Sequence, residues 1–246
     1  MSAAPARCDQ EPALVLHSLP YRETSLVVEV FSLAHGRLAL VARGARRPRS
    51  AMRGLLQAFQ PLMLSWSGKG EMRTLHKAEW LGGMPGLPGA ALLCGFYLNE
   101  LLLKLLPRED PHPALYQDYL ATLQCLAGGE GREASLRAFE LRLLSELGYA
   151  PSLEREAGSG QPIDPAARYH YVFDRGPQRE ANGAYPQVSG ATLLALAQGD
   201  WREARWAREA KQLMREILQH HLEKRGLFSR QLLVDLQDIE ERQGPT

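Results

Sequence analysis

The sequence predicts an α+β protein, with an all-β half over residues 1–80 and a mostly helical remainder over 81–246. Three observations predict it. Five short strand-like runs follow one another before Trp80 with no helical pattern between them. After Trp80 the apolar residues recur at spacings of three and four. Between the two regimes lies LGGMPGLPG (81–89), a Gly/Pro linker. Strands gathered first and helices second argue against βαβ units and for a small barrel followed by a helical domain.

The strands come in order. ALVLHSL (13–19) ends at the turn Pro20-Tyr21, and TSLVVEVFSLA (24–34) is rich in β-branched residues and leads to a tight turn at His35-Gly36. GRLALVAR (36–43) alternates Leu38, Leu40 and Ala42 against Arg37, Ala39 and Val41. PLMLSWS (61–67) and EMRTLHKAE (71–79) flank Gly68-Lys69-Gly70, a hairpin-turn composition. The helical half opens with 90–106, where Leu92, Phe96, Leu98, Leu101, Leu102 and Leu105 keep helical spacing. Helices are expected over 113–127 and 132–147, the latter ending at Gly148. Residues 148–187 are irregular, with a strand-like YHYVF at 169–173. Asp200 is read as the N-cap of a long helix to about Leu222, and 227–240 as a last helix.

Composition narrows the function. The net charge of the 246 residues is only +1, but residues 1–80 carry eleven Lys/Arg against six Asp/Glu. A basic front suits an anionic ligand. Three scattered cysteines (Cys8, Cys94, Cys125) without a CxxC argue for a reducing compartment, with Cys94 and Cys125 read as small buried hydrophobes. MSAAPARCDQEP lacks the apolar run of a signal peptide, and the greasiest stretch, around 90–106, is interrupted by Asn99, Glu100 and Lys104. A cytoplasmic, nucleoid-associated protein with no membrane contact is expected. No GxSxG elbow, Walker A or HExxH occurs, and His220-His221 are adjacent and so a poor chelating pair. No enzyme, no cofactor and no metal are expected.

The sharpest signal is RGARRPRSAMR (43–53), with five arginines and no acid anywhere between Glu29 and Glu71. A solvated loop is the competing reading. Against it, arginine's planar fork suits phosphate oxygens and stacks on bases, and a small five-stranded barrel binds nucleic-acid strands between its loops. Arg43, Arg46, Arg47, Arg49 and Arg53 are therefore DNA-binding candidates. Arg37, Lys69, Arg73 and Lys77 are weaker ones, since each would also suit solvent from a strand or turn. Tyr21, Phe59 and Trp66 are possible stacking surfaces, the last two equally good as core.

LVLHSLPYRETSLVVEVFSLAHGRLALVARGARRPRS, followed by QAFQPLMLSWSGKGEMRTLHKAE, GFYLNELLLKLL and SLRAFELRLLSELGYAP, resembles the bacterial RecO family of DNA-repair proteins in order and spacing across nearly the whole chain. The resemblance implies an N-terminal OB-fold and a C-terminal helical domain. It implies a recombination mediator that binds single- and double-stranded DNA, anneals complementary strands and works with RecR. It would thereby help RecA replace the single-stranded-DNA-binding protein (SSB). The alternative is an adaptor that recruits proteins and touches DNA only incidentally. Some family members carry a four-cysteine zinc module after the helix equivalent to 132–147. Here PSLEREAGSGQPID puts Glu156 and Ser159 at the first cysteine pair, and FDRGPQREANG lacks the second. Zinc wants about four thiolate or imidazole ligands, so this degenerate loop is expected to be metal-free.

The resemblance also suggests a receptor for SSB's acidic C-terminal tail. Such a tail, ending in an apolar side chain and a carboxylate, needs a greasy hole beside a guanidinium. Arg137, Leu141 and Arg142 of helix 132–147 are expected to supply one wall. Phe96, Tyr97 and Leu101 of the earlier helix would supply the other. The competing assignment makes Leu141 core and Arg137 a surface charge.

Overall fold

The computed structural model describes residues 7–181, 183–222 and 226–229. Contacts divide the chain into two compact units, residues 1–128 with 227–246 and residues 129–226. Composition divides it at Trp80 instead, because the two helices within 90–128 group with the barrel. Of the expected last helix at 227–240, Phe228 and Ser229 are helical and Leu227 is not, and residues 230–240 lie outside the described residues.

In the first unit, β1 (Arg7–Tyr21), β2 (Ser25–Ser32), β3 (Gly36–Ala42), β4 (Pro61–Ser67) and β5 (Met72–Trp80) close in the order β1-β2-β3-β5-β4. Every pairing is antiparallel except β3 with β5. This is the five-stranded OB barrel. Alternate side chains fill it: Ala13, Val15, Val28, Val30, Leu38 and Leu40 meet Leu62, Leu64 and Trp66 inside. The opposite parity of β1 is buried as well. Leu14 and Leu16 face outward and are covered, because α1 (Ala90–Leu105) and α2 (Pro113–Gly128) belong to the same unit. Asn99 of α1 donates to the Leu16 carbonyl at 2.8 Å and accepts from the Tyr119 hydroxyl. Phe31 meets Tyr116 edge-on at 5.5 Å. ALVL thus reads as a continuous apolar run because both faces of the strand are dry.

The β2–β3 turn depends on Gly36. Its φ is +66°, and a Cβ there would lie 2.0 Å from the backbone oxygen of Asp110. Glycine alone suits both demands. The tight approach clips segment 106–110 to the start of β3, where the Glu109 N–H donates to the Arg37 carbonyl at 2.8 Å.

The second unit contains α3 (Arg132–Glu146), a three-stranded sheet, α4 (Gly190–Gln198) and α5 (Ala204–His221). The sheet is ordered β7-β6-β8, with β6 (Arg168–Val172), β7 (Gly176–Gln178) and β8 (Gln187–Ser189). Ser189 caps α4, its hydroxyl accepting from the Thr192 N–H at 3.2 Å. Glu209 of α5 then accepts from the Ser189 N–H, the Ser189 hydroxyl and the Thr192 hydroxyl. Burial pushes this carboxyl up, but those hydrogen bonds and Arg168 more than offset it and hold it below the usual range.

Asp200 does not cap α5. That helix starts at Ala204 with Glu203 as its N-cap. Arg202, two residues along, offers Asp200 both its backbone N–H and its guanidinium. The local ring competes successfully with helix entry and holds the Asp200 carboxyl down to about 2.

Candidate nucleic-acid interface

The connection 43–60 leaves β3 as a chain of tight turns. Arg47 N–H bonds the Gly44 carbonyl at 3.0 Å, Ser50 N–H that of Arg47 at 3.0 Å, and Arg53 N–H that of Ser50 at 3.2 Å. Ala45 and Leu56 pin it into the barrel core, with Met52 packed alongside. Once the small and apolar residues point in, the arginines must point out. Arg43, Arg46, Arg47, Arg49 and Arg53 are all exposed, and none forms an ion pair with the described residues. The Arg46 guanidinium donates to the Glu23 carbonyl at 3.4 Å.

The barrel brings further groups to this end. The β1–β2 turn holds Tyr21 with the Arg22 guanidinium 5.3 Å from its ring centre, and the Arg46 N–H bonds Thr24 of the same turn at 2.9 Å. Trp80, the last residue of β5, is 59% exposed and donates its indole N–H to Gln60 at 3.1 Å. The sequence reading did not single out Trp80, although an indole at a strand end was visible in it. Of the three aromatics considered from the sequence, two are core: Trp66 is buried in the barrel, and Phe59 is buried edge-on to Phe96 at 5.1 Å.

The weaker basic candidates divide. Arg37 is turned inward, its Nε donating to the Leu106 carbonyl at 2.9 Å and Nη1 to Glu29 at 3.3 Å. Burial holds its guanidinium below the usual range, with Glu29 offsetting only part of that. Arg73 holds Glu109 at 2.8 Å, and Lys77 holds Glu79 at 2.8 Å. Lys69 is exposed on the β4–β5 turn, at the far end of the barrel from the arginine connection.

The expected tail receptor draws its walls from different units. In the first, Leu101 is fully buried, Tyr97 half-buried and Phe96 exposed. In the second, Arg137 is buried against Glu140, while Leu141 is only half-buried. Burial is therefore the reverse of a surface arginine beside a core leucine, because Glu140 one turn on supplies a carboxylate inside. Arg142 is exposed, 3.1 Å from Glu146.

The residues at the zinc-module position do not fit a zinc ion. Arg179 donates to Glu156 at 2.8 Å, lies 3.5 Å from Asp164 and covers the Tyr169 ring at 5.6 Å. Ser159 donates to the second Glu156 oxygen at 2.7 Å. These carboxylates thus already have a guanidinium as counter-charge, and no thiolate is present in the segment. Hydrogen bonds between Glu156 N–H and the Gln161 carbonyl, and between Ile163 N–H and the Glu154 carbonyl, close the knuckle. His220 and His221 pack, stacking on Phe173 at 4.6 Å and on Tyr149 at 4.3 Å.

Comparison with known families agrees with this barrel-plus-helices plan. Residues 8–84 match the family described as recombination protein O N terminal, and residues 89–231 match recombination protein O C terminal. The chain belongs to the RecO family. It is 52% identical to the DNA repair protein RecO of Aromatoleum aromaticum, covering 95% of this chain and 98% of that one. It is 50% identical to the protein of the same name from Nitrosospira multiformis, over 97% and 100%. The protein of that name from Burkholderia pseudomallei is 52% identical over 95% and 86%. Membership gives the chain a role in DNA repair and recombination. No described helix is long and apolar enough to cross a membrane.

Proposed function

We propose that this protein is a non-catalytic recombination mediator that grips DNA by its phosphates at the arginine end of the barrel. One observation carries the reading: five exposed arginines on a pinned connection, with no described carboxylate to balance them. In the fold such a cluster is self-repelling. Phosphate relieves that repulsion, and arginine forks bind it bidentately without reading sequence. Tyr21 and Trp80 supply stacking faces for unpaired bases, which suits single strands as well as duplex. A protein that holds two strands by their backbones leaves base edges free to pair, the requirement for annealing.

The partners follow from the resemblance. RecR would join the DNA-bound form, RecA would be loaded indirectly, and SSB would be engaged through its acidic tail. Arg142 is the tail's accessible guanidinium, because Arg137 would first have to release Glu140. The whole protein titrated with a fluorescent oligonucleotide over a salt series tests the reading. Five phosphate contacts on a single strand give a log–log slope of about −3.5. A slope near zero would leave an adaptor that meets DNA only through its partners.

A further inference from the structure

At the opposite end of the barrel from the arginines, β1 carries a bulge. Cys8 pairs with Trp66 and Glu11 with Leu64, so three steps on β1 match two on β4. Gln10 takes up the extra residue with φ +54°, its N–H donating to the Ser65 hydroxyl at 3.1 Å. In a regular strand, residues 8 and 11 would point to opposite faces. The bulge turns both toward the same side, and there they meet the β2–β3 turn. His35 of that turn is fixed by its N–H on the Ser32 hydroxyl at 3.1 Å and by its ring edge-on to Trp66 at 5.4 Å. Its Nε2 lies 3.3 Å from the Cys8 sulfur.

Glu11 completes the group. It is 8% exposed, one oxygen accepts the Ala34 N–H at 2.5 Å, and it forms no ion pair among the described residues. A buried carboxylate without a counter-charge is costly. A sulfur, an imidazole nitrogen and a carboxylate oxygen thus lie within 4.8 Å of one another.

We propose that Cys8, Glu11 and His35 form a zinc site that fastens the first leg of β1 to the β2–β3 turn. Zinc takes these three donor types, and three protein ligands leave a fourth position for water. Zn–S near 2.3 Å and Zn–N near 2.0–2.1 Å put a tetrahedral sulfur–nitrogen edge at about 3.5 Å, close to the observed spacing. On binding, the Cys8 thiol gives its proton to solvent, His35 binds as the neutral ring through Nε2, and the dication balances Glu11. A sulfur ligand selects zinc over magnesium or calcium, which prefer oxygen. Spacing in the sequence hides the set: residues 8 and 11 become neighbours only through the bulge, and residue 35 only through strand pairing.

The test uses the full chain, stripped with a chelator and titrated with cobalt(II), which in a tetrahedral thiolate site absorbs in the visible and shows a sulfur-to-metal charge-transfer band. One equivalent should bind, and zinc should displace it with loss of colour. Cys8→Ser should abolish the charge-transfer band, and His35→Ala should weaken cobalt binding by about a hundredfold or more, at least the cost of losing a supporting shell residue. Cys94→Ser and Cys125→Ser should leave both unchanged. Oligonucleotide binding checks that each variant is folded. Colourless wild type, or colour that survives Cys8→Ser and His35→Ala in folded protein, overturns the site.

Discussion

Two arginine-rich regions of this chain balance their charge in opposite ways. In the connection 43–60, five arginines point to solvent with no acidic partner described. In the knuckle 151–181, Arg179 is held by Glu156 and Asp164. Arg168, in the same segment, reaches Glu209 at 3.2 Å. The residue type is the same, but its work differs. A guanidinium whose carboxylate lies within the unit holds the chain's shape; one without a carboxylate is available to something outside. Counting arginines therefore says less than finding their acids.

The largest effect that would sharpen this contrast lies in the connection. Replacing Arg43, Arg46 and Arg47 together with alanine should flatten the salt slope by about two units and weaken single-strand binding by about a hundredfold near 0.1 M salt. Unfolding should scarcely move, since none of the three has a structural acid. An unchanged slope would return the loop to mere solvation.

Next comes the second unit. Glu209→Gln removes the charge from a group that accepts from Ser189 and Thr192 and meets Arg168. It should cost about 2 kcal/mol of stability, the scale of a hydrogen bond to a charged group. Thermal unfolding measures this, and the DNA salt slope should stay as it was.

Acid should act through the same carboxylate and through Glu100. Burial pushes the Glu100 carboxyl up, but Lys104, the Ser229 hydroxyl and the N–H groups of Ser229 and Phe228 offset that and hold it low. Both folded values lie below the usual 4.5. The stabilisation is therefore complete above the unfolded value and is lost as pH falls through the folded one. Urea midpoints should drop on that acid side and stay flat above it for these groups. Glu209→Gln should shrink the drop.

The smallest effect is the most discriminating between the regions. Arg179→Ala breaks an exposed pair, for which only a slight shift of the unfolding midpoint is expected. It removes as much positive charge as any one arginine of the connection, yet the salt slope should not change. A flatter slope would mean that the knuckle also meets DNA and that the contrast fails.

Much of this was legible in the residues. The five strands follow from alternation and turn chemistry, and the barrel's basic end from RGARRPRSAMR. Other features depend on distant partners. The strand-like run at 13–19 gave no sign that β1 reaches back to Arg7, since the bulge at Gln10 breaks the alternation there. Arg37 and Arg73 looked like solvent-facing charges until folding brought Leu106 and Glu109 beside them. Asp200 looked like a helix cap because a cap and a local ring with Arg202 use the same residue type. Arg137 with Glu140, three apart on one helix, was readable from spacing alone.

The barrel's closure also bears on how the chain finds its fold. The β2–β3 hairpin joins neighbours, but the seam between β1 and β4 pairs Ala13 with Leu62. About fifty residues must be looped before that contact is rewarded, the kind of non-local pairing that slows folding. The connection 43–60 lies inside this loop. Since closure entropy grows only logarithmically with length, doubling the loop would cost about 0.6 kcal/mol. Within the connection, extra length is thus cheapest between the core anchors Ala45 and Leu56, the stretch that holds Arg46, Arg47, Arg49 and Arg53.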